Sequence, residues 1–328
     1  MNKVKCTYFL ILIMLTSCQA FKHTPKPSNN EEWPRIISMG AEFEEFIKLS
    51  RGLEPESKVR LFRSMFTDKY PDVYDSLVFE RYLVKDYAKE KQERLDRYVP
   101  RLDRISTRME PIFKELAVIL PENMQEFKKL FPSADFRYYI YVMPSLKFNG
   151  KVGFLKDGST VIAFGVDRLL SKADLNVLVS HELFHAFHIQ NAQIMDEWIK
   201  GDFTYAHYMW LEGMAVYASG LLNPKKNDDV LLDSKELSLN CQKHAREYII
   251  KFREVSAKSF SDPEYLDVFS MWFGGKETNS DMPARAAYCV GLNIVRDIAK
   301  EHDFNDMLKW KFDYVTGIVE KKMNEASQ

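Results

Sequence analysis

Residues 179–185 read Val-Ser-His-Glu-Leu-Phe-His, and the two histidines four apart hold this stretch to one conformation if they act together. On a helix, positions i and i+4 lie one turn apart on the same face, so the imidazoles of His181 and His185 converge on one point beside the axis. Glu182 is rotated about 100° from His181, which brings its carboxylate to a water at an ion held there without making it a ligand. The pattern H-E-x-x-H therefore predicts a catalytic zinc on a helix. A pattern this short also arises by accident in roughly one chain in a hundred of this length, so the flanking sequence has to decide.

Ser171 followed by Asp174 reads as an N-cap with a capping-box carboxylate, and Leu175, Leu178, Val179 and Phe184 carry an apolar helical period through the motif to about Ala192. Upstream, residues 136–142 (Phe-Arg-Tyr-Tyr-Ile-Tyr-Val) and 160–165 (Thr-Val-Ile-Ala-Phe-Gly) are rich in β-formers and are separated by Gly150, Gly153 and Gly158. That predicts a small antiparallel sheet just before the helix. The edge of such a sheet is a place where an extended peptide adds as a further strand. Downstream, Trp210-Leu211-Glu212-Gly213-Met214-Ala215 lies in a second helical pattern over about 203–219, stopped by Gly220. Glu212 is available there as a third ligand. Two histidines and one carboxylate leave a fourth position open, as catalytic zinc sites do and structural ones do not.

These residues resemble those of the gluzincin metallopeptidases, in which a second helix after H-E-x-x-H carries a glutamate ligand, often within W-x-E-G-x-A. More narrowly, the chain is similar to predicted zinc-dependent proteases found among bacterial lipoproteins and secreted proteins. The likeness spans residues 160–220, extends to Pro283-Ala-Arg-Ala-Ala-Tyr-Cys-Val-Gly291 and does not reach the first 130 residues. It implies a zincin-like catalytic core, one Zn2+ per chain held by His181, His185 and Glu212, Glu182 as general base, and a peptide or protein substrate. It also implies a hydrogen-bond donor for the oxyanion on a later helix. Tyr288, with Arg285 one turn earlier, is the candidate for that role, beside plain packing. Val216 departs from thermolysin-like relatives, which place an aspartate four residues after the glutamate, so the hydrogen-bond partner of a ligand histidine has to come from elsewhere. The metzincin pattern is excluded, because it needs Gly and His where His188 and Asn191 stand. His188 shares the face of His181 and His185 but lies about 10 Å along the axis from His181, too far for one ion to take all three. That leaves it a role in packing or in supporting a ligand. His207 points about 140° away from Glu212 around its helix and is expected as a buried, hydrogen-bonded histidine.

The first residues predict where the reaction takes place. Lys3 and Lys5 precede an apolar run over 8–15, about half the length a bilayer span needs, which reads as the core of a signal peptide. It ends in Leu15-Thr16-Ser17-Cys18, which resembles the lipobox of bacterial lipoproteins, where the signal is cut before an acylated cysteine. Residues 1–17 are then the signal, Cys18 carries the lipid, and 18–34, with Pro25, Pro27, Ser28, Asn29 and Asn30, form a flexible tether. The expected location is the bacterial cell envelope, anchored to a membrane without spanning it; Gln19 after the cysteine resembles outer-membrane sorting. Removing Lys3 and Lys5 from the 46 basic residues leaves 44 against 47 acidic ones, a net charge of −3. No basic field therefore predicts nucleic acid as a partner. Of the four cysteines, Cys6 leaves with the signal and Cys18 is taken by lipid, so Cys241 and Cys289 alone can pair, as an exported location permits.

Hydrophobic residues at 46% and aromatics at 13% supply a core for the roughly 295 residues after the tether. Residues 35–132 read as a helical N-terminal region broken at Pro55, Pro71, Pro100, Pro111, Pro121 and Pro132, with Phe43, Phe46, Phe62, Phe66, Tyr82 and Tyr87 in its core. The mixed charges of 81–104 read as a solvated helix face. Residues 133–328 are expected as the zincin-like domain, with further helices over 234–257, 283–302 and 303–323. The fold class predicted is α+β, mostly helical with the small antiparallel sheet. No Walker loop, dinucleotide fingerprint or G-x-S-x-G is present. The chain is thus expected to be a zinc metallopeptidase. A tethered binding lipoprotein that keeps a zincin fold without proteolysis, and a zinc amidase acting on cell-wall material, are the alternatives.

Overall fold

The computed structural model describes residues 34–81, 86–169, 174–192, 194, 203–259, 266–274, 282–326 and 328. The signal, Cys18, the tether up to residue 33, Tyr82 and Ser171 lie outside them. The described chain is mostly helical with one small sheet, an α+β fold. It divides into two units, the first ending at Phe187 and the second beginning at His188, inside the helix Leu175–Ala192.

In the first unit four strands, β1 (Arg35–Ser38), β2 (Tyr139–Met143), β3 (Gly150–Phe154) and β4 (Thr160–Gly165), form a sheet in the order β1-β2-β4-β3. The expected antiparallel sheet is in fact mixed: β1 and β4 run parallel to β2, and only β3 is antiparallel to its neighbour β4. Alternation of apolar residues reports which faces are buried and carries no information on direction. Direction is set by the connections. After β2 the chain passes to the far edge as β3, and a tight turn at 155–159, with Gly158 at φ 83°, returns it as β4 between the two. β2 and β4 are central and buried almost throughout, as strands covered on both faces are. β3 contains Gly150 and Gly153, expected to separate strands, and β1 lies in a stretch expected to be helical.

Pro55 and Pro71 open helical segments, where the missing N–H has no intrahelical partner to lose. Pro111 and Pro121, expected as breaks, instead lie inside one helix, Leu102–Leu130. Both are exposed, and so are Thr107 and Ala117, whose carbonyls lose their donors four residues on, so water takes the place of the missing bonds. The opposite face buries Met109, Phe113, Leu116, Leu120 and Phe127. Phe127 and Phe131 meet Phe187 of Leu175–Ala192 with ring centroids 5.4 and 5.0 Å apart. Nearby, Asn123 donates to Asn176 at 2.9 Å and accepts from Ser180 at 3.0 Å. Rings and hydrogen bonds together fix the rotation of the motif-bearing helix against the long one. Phe43, Phe46, Phe62 and Phe66 are buried together as expected, whereas Tyr87 is half-buried.

In the second unit Tyr205–Leu222 is apolar on nearly every side and almost wholly buried, as a helix inside a core must be. It continues past Gly220, expected as its stop. A side chain at 220 would meet Leu231 at 3.1 Å, so this glycine admits a neighbour and does not end the helix. Ala286–Ile298 packs on it with the backbones nearly touching: a Cβ on Gly213 would fall 2.5–2.7 Å from backbone atoms of Gly291. Cys241, in Lys235–Ser256, and Cys289 form a disulfide. The stretch expected as one helix over 303–323 is divided into Phe304–Met307 and Phe312–Glu325. Among the described residues, no helix is long and apolar enough to cross a membrane.

Candidate metal centre

The motif helix, Leu175–Ala192, begins where Asp174 accepts hydrogen bonds from the backbone N–H groups of Asn176 and Val177 at 3.1 and 3.2 Å. Asp174 thus supplies the cap chemistry itself. Between 181 and 189 every residue is buried except His181 and His185, which are half-buried. Their Nε2 atoms lie 2.9 Å apart with the rings edge to face. Two imidazole nitrogens that close are compatible only when one carries a proton toward the other or when both lone pairs face one cation.

Glu212, on Tyr205–Leu222, is 5% exposed. One donor atom each from His181, His185 and Glu212 lie within 4.8 Å of one another, a convergent set of metal-ligating groups among the described residues. Two neutral imidazoles and one carboxylate are a donor set that zinc favours, and three protein ligands leave a coordination position for chemistry. The residues present therefore fit a catalytic zinc.

Glu182 is 6% exposed and packs against the backbone of Gly150, the first residue of β3. A Cβ at position 150 would fall 2.7 and 2.8 Å from the Cδ and Cγ of Glu182, and nearer still to Oε1. β3 is the edge of the sheet, so the carboxylate next in sequence to His181 stands at the start of an edge strand.

The other expected residues take varied places. His188 is buried on the motif helix and is outside the convergent set. His207 closes a capping box with Thr204, pairs its Nε2 with Thr316 Oγ1 at 2.8 Å and stacks on Phe312 at 4.2 Å. Burial pushes its pKa down to about 4, so it is a neutral structural histidine at neutral pH. Tyr288 sits half-buried in the first turn of Ala286–Ile298, with the Arg285 guanidinium 4.2 Å over its ring. Val216 is buried and carries no hydrogen-bonding side chain. Three glycines matter whose roles the motifs did not show: Gly150 against Glu182, and Gly213 with Gly291, which bring the helix of Tyr288 onto the helix of Glu212 beside that glutamate. A glycine inside a helix costs about 1 kcal/mol relative to alanine, so Gly213, directly after Glu212, was the signal for a close approach.

The order of these parts defines a class, a helix-borne histidine pair with a glutamate between them and a further glutamate on a later helix. Residues 117–314 match the model of the family described as "Predicted Zn-dependent protease (DUF2268)", and the chain belongs to that family. The match begins in the long helix and takes in the motif helix, Glu212 and Tyr288. No curated protein and no solved structure matches the chain.

Proposed function

We propose that the chain is a zinc-dependent metallopeptidase of gluzincin type on a zincin-like core, with His181, His185 and Glu212 as ligands and Glu182 as general base. The observation that carries this is the convergence of the three donor atoms within 4.8 Å, with Glu182 adjacent to His181 in the chain. Zinc held by these residues supplies a Lewis acid that makes water more acidic and polarises a carbonyl. Glu182 accepts the proton of water as its oxygen attacks the carbonyl carbon, then hands that proton to the amine nitrogen as the C–N bond breaks. Tyr288 is the proposed donor to the oxyanion. A peptide suits the site because an extended chain adding along β3, the edge strand of the sheet, would pass beside Glu182.

The proposed setting is the bacterial cell envelope, with acylated Cys18 as anchor, the outer membrane as its destination, and a peptide or protein, not nucleic acid, as partner. The Cys241–Cys289 disulfide supports an oxidising compartment. Replacing Glu182 by Gln is the test of the reaction. Cleavage of dye-labelled casein should fall by about 10²–10⁴-fold while one zinc per chain is kept, and near-normal cleavage by Glu182→Gln would sink the assigned base.

A further inference from the structure

We propose that Gly150 is a positioning residue for Glu182, its absent side chain leaving the space in which the carboxylate is held; this deepens the role of Glu182 as base and rests on it. Glycine at 150 is not required by conformation. Among the described glycines the positive φ values belong to Gly52 and Gly158, so the backbone at 150 is one that any residue adopts. What the position lacks is room. A Cβ there would come within 2.8 Å of both Cγ and Cδ of Glu182, so the whole end of the side chain, and not one flexible tip atom, runs along this backbone.

Neither backbone is free to retreat. On the helix, Glu182 is followed by Leu183 and Phe184, both wholly buried, and preceded by the half-buried His181. On the sheet, Gly150 pairs in register with Phe164, and the carbonyl of Asn149 accepts from the N–H of Gly165 at 2.8 Å. The turn leading in is tied as well. Asp167 accepts from the N–H groups of Ser145 and Leu146 at 2.6 and 3.0 Å, and Ser145 Oγ accepts from those of Lys147 and Phe148 at 3.2 and 3.1 Å. A side chain at 150 would therefore displace the Glu182 carboxylate in preference to the strand. A base moved by about 1 Å loses on the order of 100-fold in turnover, with little effect on substrate binding.

The test is a cycle of four full-length proteins, wild type, Gly150→Ala, Glu182→Ala and the double variant, with Glu182→Gln as a fifth for activity alone. Zinc content and thermal unfolding are measured on all four, and casein cleavage on wild type, Gly150→Ala and Glu182→Gln. The added methyl should lower Tm by about 5 °C in the wild type and by less than half as much in the Glu182→Ala background, where the clashing side chain is gone. An equal drop in both backgrounds overturns the proposal. Gly150→Ala should keep one zinc per chain and a KM within about two-fold while kcat falls about 100-fold; loss of zinc, or wild-type kcat, overturns it. Casein cleavage that survives Glu182→Gln would instead bring down the proposed function, and the Tm cycle would still show whether the two positions compete for one space.

Discussion

Four of the seven histidines fall between 181 and 207, and their surroundings divide them. His181 and His185 are half-buried with their Nε2 atoms facing each other, while His207 is packed on Phe312 and bonded to Thr316. Burial brings the pKa of His207 to about 4 in the folded protein, against about 6.5 in the unfolded chain. Between those values the unfolded chain binds the extra proton, so the stabilisation is whole above pH 6.5, shrinks as pH falls and is lost by pH 4, about 3 kcal/mol in all. Urea unfolding at stepped pH should show that slope, and His207→Gln should flatten it; an unaltered slope in the variant would show that another group titrates there. Glu182 and Gly150 belong to the same scale. The motif exposed the first because its spacing is one of chemistry, but the second is defined by what it lacks, and nothing within β3 itself announces which side chain fills the space.

Elements were legible where their signals are local. The motif helix follows from apolar period and a carboxylate at its start, and it runs to Ala192 as read, although Asp174 supplies the cap. The helix of Glu212 was also legible, but its end was not, because Gly220 answers to Leu231 across space. The same holds for Pro111 and Pro121, tolerated because the carbonyls they leave bare face water. Sheet direction was hidden for a different reason. β3 lies where Gly150 and Gly153 were expected only to separate strands, and the placement of β4 beside β2 depends on the passage of the chain to the far edge. Cysteine count left open a single pairing, and the Cys241–Cys289 disulfide joins two helices through cysteines 48 residues apart in sequence. Closing a loop of that length is worth about 4 kcal/mol by chain entropy. Chemical unfolding of Cys241→Ala should show a loss of that order, and an unchanged midpoint would mean that the bridge is absent in the folded protein.

At the scale of the molecule, the proposals concern where the chain works and what it holds. The two proposed ends of its function, a lipid at Cys18 and a zinc at His181, His185 and Glu212, are separable by experiment. Cys18→Ala should abolish incorporation of labelled palmitate and shift the protein from the membrane to the soluble envelope fraction; continued labelling would place the lipid elsewhere. Family membership supports the zinc by description, and the convergent donors support it by geometry. The most direct measurement of the proposed metal centre is metal content by mass spectrometry on wild type, His185→Ala and Glu212→Ala side by side. The wild type should hold about one zinc per chain, and both variants should lose it. Zinc retained by either variant, or absent from the reconstituted wild type, would refute the three-ligand site.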